Sequence, residues 1–338
     1  MSRSTTQFQL SNLGRKNSSP KCFWVITCYF NPCQYHNRLQ NYVRFAHNLA
    51  QQRVQLLTVE LSLTAEQAHL KPDSCTKYVS VVEQDVLWAK EQLLNIAEQH
   101  LPAECTQICW CDCDVLFKDP GWAWKSSDLL QQHRIIQPFS EAIFLGPTET
   151  PNQYGSFQPS VSFARYYLKK KGSLVQQPDI LEGHPGYAWA MRRDIWRQCG
   201  GLYDKCILGH ADIVMGVAFT HNVLRDGPIA DDWEAHWNPG WSVYLQHDIR
   251  KWQQRICEII QGDVGCMHGQ VFHLWHGPRE NRQYHNRGVM LADFNPALHL
   301  ERGDNHLYHW TLSAKSIKLD EACKLYFQKR KEDQARLK

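Results

Sequence analysis

The fold is decided by the stretch Gln107-Ile108-Cys109-Trp110-Cys111-Asp112-Cys113-Asp114-Val115-Leu116-Phe117. The pattern is typical of a short apolar β-strand that ends in two carboxylates at alternate positions. Residues two apart in an extended segment point the same way, so we expect Asp112 and Asp114 to face one spot beyond the strand. Two carboxylates this close repel each other unless a cation neutralises them, and the usual cation is a divalent ion. The stretch therefore predicts a metal site.

Three cysteines, at positions 109, 111 and 113, alternate with these residues and raise the alternative of a zinc site. Zinc sites draw their ligands from two separate pairs, and no second pair with zinc-finger spacing accompanies these thiols. We therefore interpret the three cysteines as core packing.

The composition is that of a globular protein. The 338 residues are 43% hydrophobic and 12% aromatic, which is enough for a large α/β core. A net charge of +3 is too small for a polyanion binder, so no nucleic-acid partner is expected. Residues 1–20 form a polar tail, expected to be disordered, without the apolar middle of a signal peptide, and no segment predicts a membrane span. Together with thirteen cysteines interpreted as reduced thiols, these features predict a cytoplasmic protein.

The chain before the acidic stretch alternates between strand and helix patterns. A buried strand is predicted over residues 22–30, a helix over 34–49, and a second strand over 54–61. This order begins a parallel α/β sheet, in which ligands collect beyond the carboxyl ends of the strands. Tyr29, Asn31 and Arg38 are candidate ligand contacts at that edge, although each alone is equally typical of a turn or surface residue.

A long helix is predicted over residues 80–99. It places Lys90 and Asn95 near a face that looks toward the same pocket, although a lysine on a helix is most often solvated. Residues 135–139 predict an edge strand, and residues 152–160 predict a long loop that closes over a site.

A glycine-rich stretch forms the second informative region. Residues 183–194 predict a turn that contains Gly186 and leads into a strand, followed by a helix that ends at Gly200. Asp212 opens the next helical pattern, where it is either an N-cap or a base at the mouth of a pocket. The aromatic residues nearby, Trp189 among them, either stack on a sugar ring or belong to the core; the others are Tyr187, Trp237 and Trp241.

This order of motifs is similar to that of the GT-A glycosyltransferases, above all the clan of β-1,4-galactosyltransferases and polypeptide N-acetylgalactosaminyltransferases. The resemblance covers residues 22–287. It implies an α/β fold with a mixed, mostly parallel, Rossmann-like sheet flanked by helices. It also implies one large domain at 21–312, with a nucleotide-binding half at about 21–120 and an acceptor half at about 121–312. A charged helix is predicted at 313–338.

The resemblance assigns roles to individual residues. Asp114 is implied to bind the metal, and Asp112 to support the metal or the donor ribose. Lys90 and Asn95 resemble the R-x-x-x-x-N motif of the preceding helix, with lysine in place of arginine. Asp212 resembles the acidic catalytic position, although Ala211 stands where that motif usually has a second acid.

A later motif resembles the part of the family that supplies a histidine to the metal. His273 and His276 both qualify, and without the two aspartates a hydrogen-bonded core histidine would be the commoner interpretation. Arg279 and Arg282 follow in a stretch that resembles the mobile loop over the diphosphate, which makes them candidate phosphate contacts.

The sequence thus resembles a hexosyltransferase that uses Mn²⁺ or Mg²⁺ to move a sugar from a nucleoside-diphosphate donor, a UDP-sugar by resemblance, to an acceptor hydroxyl. An inverting reaction would use Asp212 as base, and Gly186 and Trp189 would contact the donor. The acceptor, a glycan, lipid or protein, is not specified. A phosphatase of the haloacid dehalogenase type is disfavoured, because its D-x-D follows the first strand. The remaining alternative is a sugar- or nucleotide-binding protein that keeps this fold without turnover.

Overall fold

A seven-stranded sheet forms the centre of the computed structural model, which describes residues 20–155, 159–169, 183–220, 240–283 and 287–333. From edge to edge its strands are β10 (Val264–Cys266), β6 (Ile135–Gln137), β9 (Ala188–Arg192), β4 (Gln107–Cys111), β1 (Phe23–Phe30), β2 (Gln55–Ser62) and β3 (Lys77–Val82). Every pairing is parallel except the two that β9 makes, with β4 and β6. The predicted mixed, mostly parallel sheet is confirmed.

Helices cover both faces of this sheet. They are α1 (His36–Gln51), α2 (Lys90–Gln99), α3 (Trp122–Leu129), α4 (Phe163–Lys169), α5 (Arg193–Cys199), α6 (Ala211–Phe219), α7 (Val243–Ile260), α8 (Pro296–His299), α9 (Leu312–Ser316) and α10 (Leu319–Lys329). Alternate residues of β1 enter different cores, because strand side chains point to opposite faces. Phe23 and Val25 pack with α1, whereas Trp24 and Ile26 pack with α2 and α6. The result is a single α/β domain with two hydrophobic layers.

A second, four-stranded sheet completes the site. Its order is β5 (Val115–Phe117), β11 (Gln270–His273), β7 (Glu141–Phe144) and β8 (Ser160–Val161), and a separate hairpin consists of β12 (Leu300–Arg302) and β13 (Tyr308–Trp310). β5 and β11 are antiparallel, with His273 opposite Val115. The backbone N–H of Leu274 donates to the carbonyl of Asp114 at 2.8 Å. This register brings the late histidine beside the second aspartate.

Two sequence predictions of secondary structure are wrong. The helix predicted over 80–99 begins only at Lys90, because Lys77–Val82 form β3 and pair in parallel with β2. The strand predicted at the sheet edge near residue 135 lies inside the sheet, since β6 pairs with both β10 and β9. The local sequence did not distinguish helix from strand at residues 80–82, or an edge strand from an interior strand at residues 135–137. In both cases pairing with another strand determined the outcome.

The C-terminal residues contain two helices where one charged helix over 313–338 was predicted. Lys318, in the left-handed conformation at φ 61°, separates α9 from α10. The ring of Phe327 on α10 stacks on Trp88 at 6.0 Å and meets Phe30 edge-on at 5.4 Å, so α10 packs on the domain. Among the helices in the described ranges, none combines the length and apolar composition that a bilayer crossing requires.

Candidate active site

The acidic motif lies on a turn between two sheets. β4 ends at Cys111, residues 113 and 114 form a turn, and β5 begins at Val115. The backbone N–H of Asp112 donates to the carbonyl of Tyr187 at 2.7 Å, which fixes the start of the turn. The prediction that Asp112 and Asp114 face one spot assumed an extended chain. Because the chain turns between them, the two carboxylates contact different neighbours.

Asp114 meets the two late histidines. Its Oδ1 lies 3.8 Å from His273 Nε2, and its Oδ2 lies 3.3 Å from His276 Nε2. The two imidazole Nε2 atoms are 3.2 Å apart. Ligand atoms around a cation at bonds of about 2.1 Å lie roughly 3 to 3.5 Å apart, so this spacing suits one ion. Asp112 is not part of this three-residue group.

The electrostatics of this group also fit a cation. Burial, and then the neighbouring Asp112 carboxylate, raise the pKa of Asp114 to about 7. Asp114 Oδ1 is buried and has no hydrogen-bond partner within the described part of the chain. Burial lowers the pKa of His276 to about 3 and that of His273 well below its usual range, so both rings are neutral and keep a lone pair. A carboxylate with an orphaned oxygen beside two neutral imidazoles is a donor set for a divalent metal.

Asp112 instead forms an ion pair with Lys90, the first residue of α2. Lys90 Nζ lies 2.5 Å from Asp112 Oδ1, and both side chains are more than two-thirds buried. Burial alone would lower the pKa of Lys90. The nearby carboxylates of Asp112, Glu91 and Asp212 have the larger effect, so the pKa of Lys90 is raised. The lysine therefore lies among three acidic side chains at the carboxyl edge of the sheet.

Asp212 approaches the same region from α6, where it is the second residue, while His210 (φ 76°) occupies the N-cap position. Its Oδ1 accepts a hydrogen bond from the backbone N–H of Ile213 at 3.0 Å. Its Oδ2 would lie 2.9 Å from a Cβ added to Gly186, and His184 Cε1 would lie 3.1 Å from it. The absence of a side chain at Gly186 is what lets the carboxylate reach this position.

The two candidate phosphate ligands occupy a 3₁₀ turn, Arg279–Arg282, beside the group of Asp114, His273 and His276. Arg282 Nη2 donates to His276 Nε2 at 2.7 Å, and the Arg282 charge opposes the rise in the pKa of Asp114. The Arg279 guanidinium lies 5.9 Å from the centre of the Phe144 ring. Both arginines thus border the site.

Two predicted donor contacts belong to the scaffold instead. Asn95 Oδ1 accepts from the backbone N–H of Leu202 at 2.8 Å and its Nδ2 donates to the Leu202 carbonyl at 3.1 Å, so the amide is committed to that loop. Trp189 is 2% exposed, its indole N–H donates to the Pro185 carbonyl at 2.7 Å, and its ring packs on Phe219. Trp189 is a core residue, as the commoner fate of a tryptophan predicts.

The three candidates at the end of β1 are engaged with protein partners. Tyr29 is 1% exposed, and its hydroxyl accepts from Asn31 Nδ2 at 3.0 Å. Asn31 Oδ1 accepts from the backbone N–H of Tyr35 at 2.9 Å. Arg38 Nε donates to Glu332 Oε2 at 3.0 Å, and its Nη1 donates to the Phe30 carbonyl. These residues brace the strand end behind the site.

The aromatic candidates divide in the same way. Tyr187 stacks on the His184 ring at 3.9 Å, and its ring centre lies 4.8 Å from that of His273, one of the candidate metal ligands. Trp241 is 5% exposed and meets the His210 ring. The predicted acceptor-side residue Trp237 lies outside the described residues.

Sequence reasoning missed His184, Glu91 and Glu332. His184 lies directly before the Pro185-Gly186 turn, a position that marks it as near any ligand held by that turn. Burial raises the pKa of Glu91 to about 8, but its place beside Lys90 on an ordinary helix gives no signal in the sequence. Glu332 lies 218 positions after Asp114 in the sequence. Only the fold shows that it is close to the candidate cation site, where its Oε1 lies 3.8 Å from His276 Nδ1.

No protein-family model matches the chain, and no curated protein matches its sequence. Solved structures do match. Glucosyl-3-phosphoglycerate synthase from Mycobacterium tuberculosis, with Mn²⁺, UDP and phosphoglyceric acid, shares 11% identity over 92% of both chains at a TM-score of 0.39. The catalytic domain of Drosophila β1,4-galactosyltransferase 7, with xylobiose, shares 12% over 62% of this chain and 67% of that chain at 0.29. S. aureus TarS, residues 1–349, shares 12% over 58% of this chain at 0.36, and the match spans about half of that chain, 54%.

These solved structures include a galactosyltransferase, an enzyme of the group that the sequence resembles. At identities of 11 to 12% and TM-scores below 0.5, the geometry of the chain's own site decides what it does.

Proposed function

We propose that this chain is a metal-dependent glycosyltransferase that moves a sugar from a nucleoside-diphosphate donor, a UDP-sugar, to an acceptor hydroxyl. The observation that supports this most is the division of the acidic motif. Asp114 lies with two neutral imidazoles in a candidate cation site. Asp112, two residues earlier, is paired instead with Lys90, close to Asp212. A candidate cation site beside a mostly buried lysine and a second carboxylate, Asp212, suits a reaction with an anionic leaving group.

Asp114, His273 and His276 would hold the metal. Two imidazole nitrogens make this set softer than the all-oxygen sites that Mg²⁺ prefers, so we propose Mn²⁺ as the ion. When bound, it would neutralise charge on the donor diphosphate. Arg279, Arg282 and Lys90 would add positive charge around the same group, which stabilises the departing phosphate.

Asp212 would act as the base of an inverting transfer. The acceptor oxygen attacks the anomeric carbon, the bond from that carbon to the phosphate oxygen breaks, and its electron pair leaves with the diphosphate. The acceptor proton passes to the Asp212 carboxylate. Two observations support this role: the missing side chain at Gly186 leaves room for Asp212 Oδ2, and the Asp212 carboxylate is near enough to Lys90 to raise the pKa of that lysine.

One contact favours a second candidate, a nucleotide-binding protein of this fold without turnover. Arg282 donates to His276 Nε2 at 2.7 Å, so a cationic side chain already satisfies a proposed metal-ligand nitrogen. In an active enzyme this arginine has to turn toward the donor when the metal binds.

The cellular setting is part of the proposal. All thirteen cysteines are free thiols, and seven of them are buried where desolvation favours the neutral form. Such a chain suits a reducing compartment, and we propose the cytoplasm.

Release of UDP from a panel of UDP-sugars with Mn²⁺ tests the function. We expect wild-type protein to release UDP and Asp114→Ala to lose at least about 100-fold in rate. Asp119→Ala is the matched control, because Asp119 lies in the same region, pairs with the exposed Lys125 and makes no contact with the cation site. Mn²⁺ and UDP binding without UDP release from any donor would support the non-catalytic candidate.

A further inference from the structure

The C-terminal residues of the described chain reach back to the site. The Asp333 carboxylate accepts from the backbone N–H groups of His36 at 2.9 Å and Asn37 at 2.8 Å, at the start of α1. Helix α1 has no side-chain cap of its own, so Asp333 supplies one from the far end of the sequence. The Tyr35 hydroxyl donates to the Phe327 carbonyl at 3.0 Å. These bonds fix residues 326–333 behind the cation site.

Glu332 is the residue of this segment that faces the site. It is 1% exposed and lies between two guanidinium groups, with its Oε2 at 3.0 Å from Arg38 Nε and its Oε1 at 2.5 Å from Arg330 Nε. The same Oε1 atom lies 3.8 Å from His276 Nδ1. A buried carboxylate held on both sides by arginine cannot turn away without breaking two charged hydrogen bonds.

The hydrogen bond that Arg282 donates to His276 Nε2 defines the tautomer of the imidazole ring. Arg282 Nη2 lies 2.7 Å from His276 Nε2, and a guanidinium can only donate. The Nε2 atom therefore accepts, and the proton of the neutral ring lies on Nδ1, the nitrogen that points toward Glu332. In the described ranges Nδ1 has no hydrogen-bond partner, and the Glu332 carboxylate is the acidic group that faces it.

We propose that Glu332 is a positioning residue that holds His276 in the Nδ1–H tautomer and so presents its Nε2 lone pair to the cation. This rests on the proposed metal site of Asp114, His273 and His276. Ligand histidines in metalloproteins donate their second ring N–H to a carboxylate, and loss of that partner lowers metal affinity about 10 to 100-fold. Here the carboxylate would come from the C-terminal segment that contains Glu332, which is far in sequence from all three proposed ligands.

Titration of the metal-free protein with Mn²⁺, followed by electron paramagnetic resonance, tests this role. We expect Glu332→Gln to raise the dissociation constant for Mn²⁺ about 10 to 100-fold. Asp333→Asn is the matched control: it weakens the tie to α1 next door but leaves the carboxylate facing His276, so its affinity should stay within about twofold of wild type. Equal weakening by both variants would show a merely structural role and overturn the proposal.

A second measurement does not depend on the fold of a variant or on turnover. The ¹⁵N shifts of the His276 ring in metal-free wild-type protein should report the Nδ1–H tautomer, and an Nε2–H ring would overturn the proposal. If wild-type protein binds no Mn²⁺ while the ring is Nδ1–H, the proposed function fails and the positioning contact stands. If wild type and Glu332→Gln bind Mn²⁺ equally, only the role of Glu332 fails.

Discussion

Lys90 Nζ lies 2.5 Å from Asp112 Oδ1, and this ion pair separates the two carboxylates of the acidic motif. Asp112 is neutralised by a side chain of the protein, whereas Asp114 is left to two neutral imidazoles. One motif thus supplies an ion pair at the sheet edge and one member of the candidate cation site.

The ion pair should be costly to break from one side. We expect Lys90→Met to lower the free energy of unfolding by about 2 to 4 kcal/mol, because it strands a mostly buried carboxylate. The double variant Lys90→Met/Asp112→Asn should recover part of that loss, since the stranded charge is gone. Urea titration of the three proteins measures both values, and a double variant no more stable than Lys90→Met would contradict the pairing.

The raised pKa of Asp114 predicts that rising pH lowers the stability of the metal-free protein but increases its affinity for Mn²⁺. Its folded pKa of about 7 lies above the usual value of 3.8, so the stability it contributes is present at low pH and is lost as pH rises through 7. Metal-free Asp114→Asn should therefore be more stable than wild type at pH 8, on the order of 4 kcal/mol, with a smaller gap at pH 5.

Metal binding should show the other side of the same titration. Because Mn²⁺ has to displace the Asp114 proton, its affinity should fall about tenfold for each pH unit below 7. The two histidines, with His276 at a pKa of about 3, do not add to this slope near neutrality. Calorimetric titration between pH 5.5 and 8 measures it, and a flat profile would show that Asp114 is not a ligand.

Asp212→Asn should slow transfer strongly without changing the fold or the affinity for Mn²⁺. Loss of a general base costs about 100 to 10,000-fold in kcat. Asp194→Asn is a matched control, because Asp194 is also the second residue of its helix, α5, and is solvent-exposed. Kinetic assays with saturating donor should separate the two. Similar losses in both variants would indicate a helix-end effect rather than a base.

Gly186→Ala should impair the reaction through Asp212. An added Cβ would lie 2.9 Å from Asp212 Oδ2, closer than real contacts allow, so the carboxylate has to move. We expect at least about a tenfold loss of kcat with little change in Mn²⁺ affinity. Gly121→Ala, whose nearest neighbour to the added Cβ is at 3.4 Å, should leave both unchanged.

Asn95→Ala should affect stability and not the donor. Its amide makes two hydrogen bonds to the backbone of Leu202, and their loss should cost about 1 to 2 kcal/mol in the free energy of unfolding. Thermal denaturation measures the cost, and UDP titration with Mn²⁺ should give the wild-type affinity. A weakened UDP affinity in a stable variant would restore the sequence-based role.

The sequence predicted the architecture where local patterns and sheet geometry agree. The buried strands over 22–30 and 107–111, and the helix that follows the first of them, appear within a few residues of their predicted bounds. Residues 80–82 were placed in a helix because their apolar spacing suits a helix as well as a strand. They form a strand because they pair with residues of β2 that lie 20 positions earlier.

The site was predicted in part for the same reason. His273 and His276 were proposed beside Asp114 on the strength of a resemblance, and the register of β11 against β5 places them there. Asp112 lies outside the group of Asp114, His273 and His276, because the chain turns at residues 113–114. The positions of Glu332 and His184 depend on tertiary contacts that no local pattern carries.

The antiparallel pairing of β5 with β11 has a kinetic consequence. It joins segments about 150 positions apart, so the three proposed ligands meet only after a large chain loop has closed. Closing such a loop is entropically costly and slows folding, because local contacts form long before distant ones. During refolding, helical signal should therefore return first, and the ability to capture Mn²⁺ should emerge as one of the last events.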